Sequence, residues 1–343
     1  MLLKIFFLIL LNINLIPSED NSLDDYKDVD PISVRKDDTK TKRDYVQTPQ
    51  ELALTKSDPV IDNEPCANQQ PVSILIHSVG RSDPKDKYYK RRVAQRETWV
   101  SEAKGQNISI YFVIALNADQ KVNQELKEES DKYQDMIQMN FIDHYWNLTL
   151  KAISILRWTQ RMCRNNKFIL KVDDDVVINI PLLLKHSNDF THGLYGSPVT
   201  SKMIDKSDHY WHIPPKYKPP VLLDQHMRGF AYVMTTDIID KLVEGVDTSP
   251  HYVLEIDDLM ITGYIAKRAG IPLISNHWFK CEKSPNQPND KYRDFDVITF
   301  CEFGSGDELI EFYSKFNGTY PSSSTKLLVN WFLSIVLIIC LII

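Results

Sequence analysis

From residue 72 to residue 172, short apolar runs alternate with longer helix-like ones, and this alternation limits the folds open to the chain. "VSILIHSV" (72–79), "ISIYFVIAL" (108–116), "MIQMNF" (136–141) and the stretch from Lys167 to Val172 read as strands. Between them, "KRRVAQRETWVSEA" (90–103) reads as a basic helix and "DQKVNQELKEESDKY" (119–133) as a polar one. "NLTLKAISILRWTQRM" (147–162) places Leu148, Ile155 and Trp158 close to one helical face. Strands that alternate with helices imply a mainly parallel, doubly wound α/β sheet with helices on both faces. Ligands of such a sheet gather at the carboxyl ends of its strands.

The last of these strands runs into "KVDDDVVIN", which places Asp173, Asp174 and Asp175 at such an end. Adjacent carboxylates repel one another and need a cation, a helix N-terminus or full solvation. A turn followed by a helix cap is one solution, and Pro181 just downstream suits a helix start. The other is a hard divalent cation held by alternate carboxylates that itself holds a diphosphate, for which oxygen donors suit Mg²⁺ or Mn²⁺.

The rest of the 343 residues bounds the setting. With 43% hydrophobic and 25% charged residues the chain can build a large core, and a net charge of −6 without a basic run excludes a nucleic-acid partner. Residues 1–16 read as a signal peptide or signal-anchor, 17–70 as an acidic stem and 71–316 as the folded domain. Residues 327–343 form a second hydrophobic segment, able to span a membrane or to act as a removable anchor signal. Three sequons at Asn107, Asn147 and Asn317 agree with entry into the secretory pathway. Of five cysteines, Cys340 lies in the tail, and Cys66, Cys163, Cys281 and Cys301 form an even set, Cys281 with Cys301 being the nearest in sequence.

Arg92 and Arg96 lie four apart on one helical face and could meet uridine or phosphate, or form a solvated basic face. "EIDDLMITGY" presents Asp257 and Asp258 before an apolar helix, either as a functional pair or as favourable charges at a helix start. The Pro- and aromatic-rich stretch from His209 to Met234 suits a wall for an acceptor sugar, with Trp211, Tyr217 and Tyr232 as its candidates and Gly229 allowing close backbone approach. Trp99, Trp158 and Tyr145 read as core.

Five stretches in order, "RRVAQRETW", "NFIDHYWNLTLKAISILRW", "KFILKVDDDVVIN", "RGFAYVMTTDII" and "EIDDLMITGYIAKRAGI", resemble the β-1,3-galactosyltransferase family over residues 74–313. Relatives of that family include β-1,3-N-acetylglucosaminyltransferases and the fringe enzymes. The resemblance implies a GT-A fold and inverting transfer of a hexose from a UDP-sugar, galactose first and N-acetylglucosamine second, in β-1,3 linkage. The acceptor would be a glycoprotein, glycolipid or proteoglycan glycan, and the enzyme a single-pass type II protein of the Golgi membrane. It implies that Asp173 and Asp175 hold Mn²⁺ or Mg²⁺, and that Asp173, Asp174, Arg92, Arg96, Asp143 and Lys151 serve the nucleotide. Asp258 would be the catalytic base with Asp257 positioning it, and Trp211, Gly229 and Tyr232 would face substrate.

Departures from the family pattern are Met227 and Arg228, where a cysteine is common, which would leave Cys163 without its usual partner. A histidine metal ligand is also missing near the C-terminal strand, with Glu302 nearest that place and His277 a second substitute. These departures keep open a membrane-anchored sugar- or nucleotide-binding protein that retains the fold without catalysis. A metal-dependent hydrolase would use the same carboxylates but lacks a second metal cluster.

Overall fold

The computed structural model describes residues 47–63, 66, 71–201, 212–217, 225–249, 253–281 and 297–319. The expected terminal segments 1–16 and 327–343, and Trp211, lie outside these residues.

Four parallel strands form the centre of an eight-stranded sheet: β2 (Val72–His77), β3 (Ser109–Leu116), β4 (Met136–Ile142) and β5 (Phe168–Asp173). β1 (Ile61–Asp62) adds antiparallel to β4 at one edge. On the other side β8 (Gln225–Thr235) runs antiparallel to β5, followed by β7 (Leu194–Thr200) and β9 (Leu273–Ser275). The order is β1-β4-β3-β2-β5-β8-β7-β9, and a separate pair joins β6 (Val177–Ile178) to β10 (Thr299–Phe300).

The central strands are buried on both faces, as their unbroken apolar runs require. Because successive side chains point to opposite faces, Ile74 and Ile76 enter one core and Leu75 the other. The first core is closed by α3 (Trp99–Gly105) and α9 (Gly306–Thr319), through Trp99, Val100, Leu309 and Phe312. The second is closed by α5 (Leu148–Met162), α7 (Ile239–Asp247) and a π-helical segment, Leu259–Ile265, that continues into α8 (Ala266–Arg268). Helices therefore cover both faces, and the doubly wound α/β expectation holds.

Three expectations change. The basic helix of 90–103 is two helices, α2 (Lys87–Glu97) and α3, broken at Thr98, whose hydroxyl donates to the Ala94 carbonyl 2.7 Å away. The aspartate triplet does not cap the next helix: Asn179 does, its side chain accepting from Leu182 N ahead of α6 (Ile180–Lys185). The folded body also begins well before residue 71. Thr48 and Glu51 form a capping box on α1 (Pro49–Ala53), Leu52 and Leu54 enter the core, and Trp158 Nε1 donates to Asp62 at 2.8 Å. The segment has no apolar period of its own because it adds single anchors and an edge strand to a core built by later residues.

Both body disulfides form: Cys281–Cys301, as expected from proximity, and Cys66–Cys163. Cys66 thus supplies the partner that Met227 does not. Among the described residues no helix is long and apolar enough to cross a membrane.

Candidate active site

β5 delivers its aspartates at the carboxyl end of the parallel core, with Asp173 level with His77 on β2. The three side chains then part company. Asp174 is buried, accepting from Ser78 Oγ at 2.8 Å and from Arg91 Nη1 at 2.9 Å. Its oxygens are spent inside the protein, which corrects its assignment to the nucleotide. Asp173 and Asp175 instead enter a cleft of about 410 Å³, their side chains 39% and 32% exposed. Burial, then Asp257 and Asp175, outweigh Lys171 and lift Asp173 to about 6. Asp175 is raised as well, by burial, though Arg91 Nη2 stands 3.6 Å away.

Glu302 lines the same cleft, on a left-handed residue (φ 67°) beside Phe303, whose N–H donates to the Asp175 carbonyl. Carboxylates whose charge is only partly offset, all offering hard oxygen donors, fit a divalent cation. His277 does not line the cleft; its ring packs on Trp278, the centroids 4.8 Å apart.

The acidic pair reaches the same cleft from another element. Asp258 opens the π-helical segment, its Oδ1 accepting from Leu259 N at 2.7 Å. Its Oδ2 lies 3.8 Å from His226 Nε2 and packs on Gly229, where a Cβ would come within 3.2 Å of it. Gly229 therefore makes room for the Asp258 carboxylate, and it also lines the cleft. Burial and the neighbouring Asp257 push Asp258 up to about 7. Burial also holds His226 down at about 4, so that it is neutral beside Asp258. Asp257 is more deeply set, its Oδ2 3.7 Å from Lys171 Nζ and 3.9 Å from His77 Nδ1.

Several expected contacts belong to the scaffold. Arg92 is fully buried, paired through Nε and Nη2 with Glu129 at 2.9 and 2.7 Å and donating to the carbonyls of Val79 and Arg81. Arg96 pairs with Glu129 and Asp135 between the rings of Phe112 and Tyr133. Neither lines the cleft: they pin α2 to α4 (Gln120–Tyr133) and to the β2 exit loop. Lys151 and Asp143 form a buried pair at 2.9 Å that holds the same loop, Asp143 accepting from Gly80 N and Ala115 N, and Lys151 donating to the Ser78 carbonyl. Tyr232 is 1% exposed and sits under the cleft floor rather than forming a wall, while Tyr217 packs partly buried against the core. Tyr145, read as core, is 46% exposed and lines the cleft.

The sequence reading missed Arg91, Lys171 and His226. Arg91 stands next to the chosen Arg92, and helical period alone does not say which of two adjacent arginines turns toward β5. Lys171 had a usable signal, a charge inside an otherwise apolar strand.

The galactosyltransferase family profile matches residues 90–277, more than half of the chain and a span that includes both acidic elements. The chain belongs to the galactosyltransferase family. Similar members include Beta-1,3-galactosyltransferase 1 of Homo sapiens and of Mus musculus, each 29% identical over 230 residues, covering 63% of this chain and 68% of the relative. Lactosylceramide 1,3-N-acetyl-beta-D-glucosaminyltransferase A of Xenopus laevis is 28% identical over 242 residues, 65% of this chain and 61% of that protein. Among solved structures, apo mouse xyloside xylosyltransferase 1 aligns with a TM-score of 0.35 at 10% identity, covering 67% of this chain and 97% of that one. A glycosyltransferase involved in the glycosylation of the major capsid of PBCV-1 aligns at 0.36 and 12%, over 71% and 98%. As a galactosyltransferase-family protein with a mainly parallel α/β sheet, the chain is a hexosyltransferase, acting with a nucleotide-sugar donor and a glycan acceptor.

Proposed function

We propose that the protein transfers a hexose, galactose first and N-acetylglucosamine second, from a UDP-sugar to an acceptor hydroxyl in β-1,3 linkage with inversion. The observation that carries this reading is that Asp173 and Asp175 enter one cleft while Asp258 borders it from another element. Inversion needs a proton acceptor on one side of the sugar and charge stabilisation on the other, where UDP leaves. Asp258 is the proposed base: Leu259 N fixes one carboxylate oxygen, and the other is left to accept the hydroxyl proton. Asp257 is proposed to position it, with its own carboxylate 3.7 Å from Lys171 Nζ. Asp173 and Asp175, with Glu302 beside them, would hold a divalent cation, which when bound supplies charge stabilisation to the diphosphate. Arg91 orients this side by fixing Asp174 and lying near Asp175.

The nucleotide is served indirectly by Arg92, Arg96, Asp143 and Lys151, which shape the β2 exit loop. Tyr145 and Arg228 line the cleft and are the residues we assign to the acceptor side, with Trp211 a further candidate from the sequence. A glycoprotein, glycolipid or proteoglycan glycan is the proposed acceptor class. The Golgi lumen is the proposed site of action, supported by two disulfides that an oxidising compartment favours. The non-catalytic reading loses its cysteine argument, since Cys163 has a partner.

The test is UDP release by the full chain, with Mn²⁺ or chelator, across UDP-galactose, UDP-N-acetylglucosamine and UDP-glucose and a panel of terminal-sugar acceptors. Acceptor-dependent release that needs metal and disappears in Asp258→Asn and Asp175→Asn supports the reading. Metal-dependent UDP binding without turnover would mark a retained nucleotide binder and remove the catalytic role from Asp258.

A further inference from the structure

Lys171 occupies a position that strand physics assigns to an apolar residue. In β5 it shares a sheet face with Ile169, which is in the core, and with Asp173, which is in the cleft; its flanking partners are Leu75 on β2 and Tyr232 on β8. The side chain is only 2% exposed. Burying an ammonium costs several kcal/mol unless its partners restore what water supplied, so a valine or leucine would serve a strand better.

Its partners come from three elements. Nζ donates to Asp173 Oδ1 at 2.7 Å and to the Gly229 carbonyl at 2.6 Å, and lies 3.7 Å from Asp257 Oδ2. It stands 5.6 Å from the centre of the Tyr232 ring. An ammonium has three donors, and here they span the proposed metal side, the strand on which Asp258 packs, and the acidic pair itself. The cleft is otherwise strongly acidic, with Asp173, Asp175, Glu255, Asp257, Asp258 and Glu302 against Lys171 and Arg228.

We propose that Lys171 is a positioning residue for the transfer reaction: its buried ammonium joins Asp173, Gly229 and Asp257 into one unit that sets the charge and placement of Asp258. The inference rests on the transferase reading above and adds to it a group that acts on Asp258 through Gly229 and Asp257. The groups facing Asp258 are Asp257 on its own element, His226 and Tyr232 on β8, and Lys171 and Asp173 on β5; Arg228 acts on His226 from the same strand, and His77 faces Asp257 from β2. Lys171 is the buried cation of this set, and it opposes the rise that burial and Asp257 impose on Asp258. Removing it takes away that opposition, so the base ionises at higher pH.

The experiment compares the kcat–pH profile of the full chain with those of Lys171→Met, Lys171→Gln and Lys171→Arg, alongside thermal unfolding. Gln keeps a donor for the Gly229 carbonyl without the charge, and so keeps the test open should Met not fold. Both neutral variants are expected to move the acid limb up by about 1 pH unit, which lowers kcat at pH 7 about fivefold through lost ionisation alone. Arginine keeps the charge and is expected to retain the wild-type limb with a lower plateau, because a planar fork does not fit the ammonium's three directions. Neutral variants that lose stability but keep the wild-type limb would overturn the inference and leave Lys171 a scaffold residue. Wild-type protein without acceptor-dependent UDP release would overturn the transferase reading, and this inference with it.

Discussion

A carboxyl held near neutrality works as a base only above that range. With Asp258 pushed to about 7 by burial and by Asp257, activity should be full above pH 8 and fall as pH drops through about 7, as a kcat–pH profile would show. Asp258→Asn should lower kcat by roughly 10²–10⁴-fold. The same substitution should raise the melting temperature at pH 8. The unfolded carboxyl ionises near 3.8 and the folded one only near 7, so native stability falls as pH rises between them. A second residue-scale outcome concerns the sequons. Asn147 is 2% exposed and its side-chain amide donates to the Ile142 carbonyl at 2.8 Å, so the folded protein cannot carry a glycan there, whereas Asn107 is exposed. Glycopeptide mapping of secreted protein should find Asn147 unmodified; an occupied Asn147 would contradict this packing. The placement of Asp173, Asp175 and Asp258 at one cleft was legible because the sequence puts them at element ends. The burial of Arg92 and Tyr232 was not legible, since it depends on Glu129 and Lys171, partners that no local period identifies.

Between elements, a buried network away from the cleft sets Arg92 and Arg96 against Glu129 and Asp135. Burial drives the Glu129 carboxyl up, but the two guanidiniums bring it below the ordinary glutamate range. Its contribution to stability is therefore complete above that range and lost as pH falls through the lowered value. Glu129→Ala leaves Arg92 buried without a charge partner and should cost about 3–5 kcal/mol, measured by urea unfolding at pH 7. A loss below 1 kcal/mol would show the pair to be dispensable. At this scale strand and helix order was readable from alternation, because buried parallel strands must be continuously apolar. The break at Thr98 and the π-helical start after Asp258 were not readable, since both turn on single hydrogen bonds.

For the whole molecule, the body boundary matters most. Residues 47–62 carry no period of their own, yet they supply α1, the edge strand β1 and two core leucines. A chain truncated to begin at residue 71 loses these together with Cys66, and should melt at lower temperature than one beginning at residue 47. The Cys66–Cys163 bond alone spans 97 residues, and Cys66→Ser should cost about 2–5 kcal/mol, read from unfolding in the absence of reductant. The sequence showed the sheet and the cleft but placed the start of the fold too late. Composition marks a stem and a tethered edge alike.

That same cross-link encloses β2, β3 and β4 with their helices and ends at Cys163, just before β5. A chain translocated from its amino terminus presents both of these cysteines before Asp173, Asp175 or Asp258 has emerged. The loop that Arg92 and Lys151 shape can thus be closed covalently before the carboxylates of the cleft have emerged.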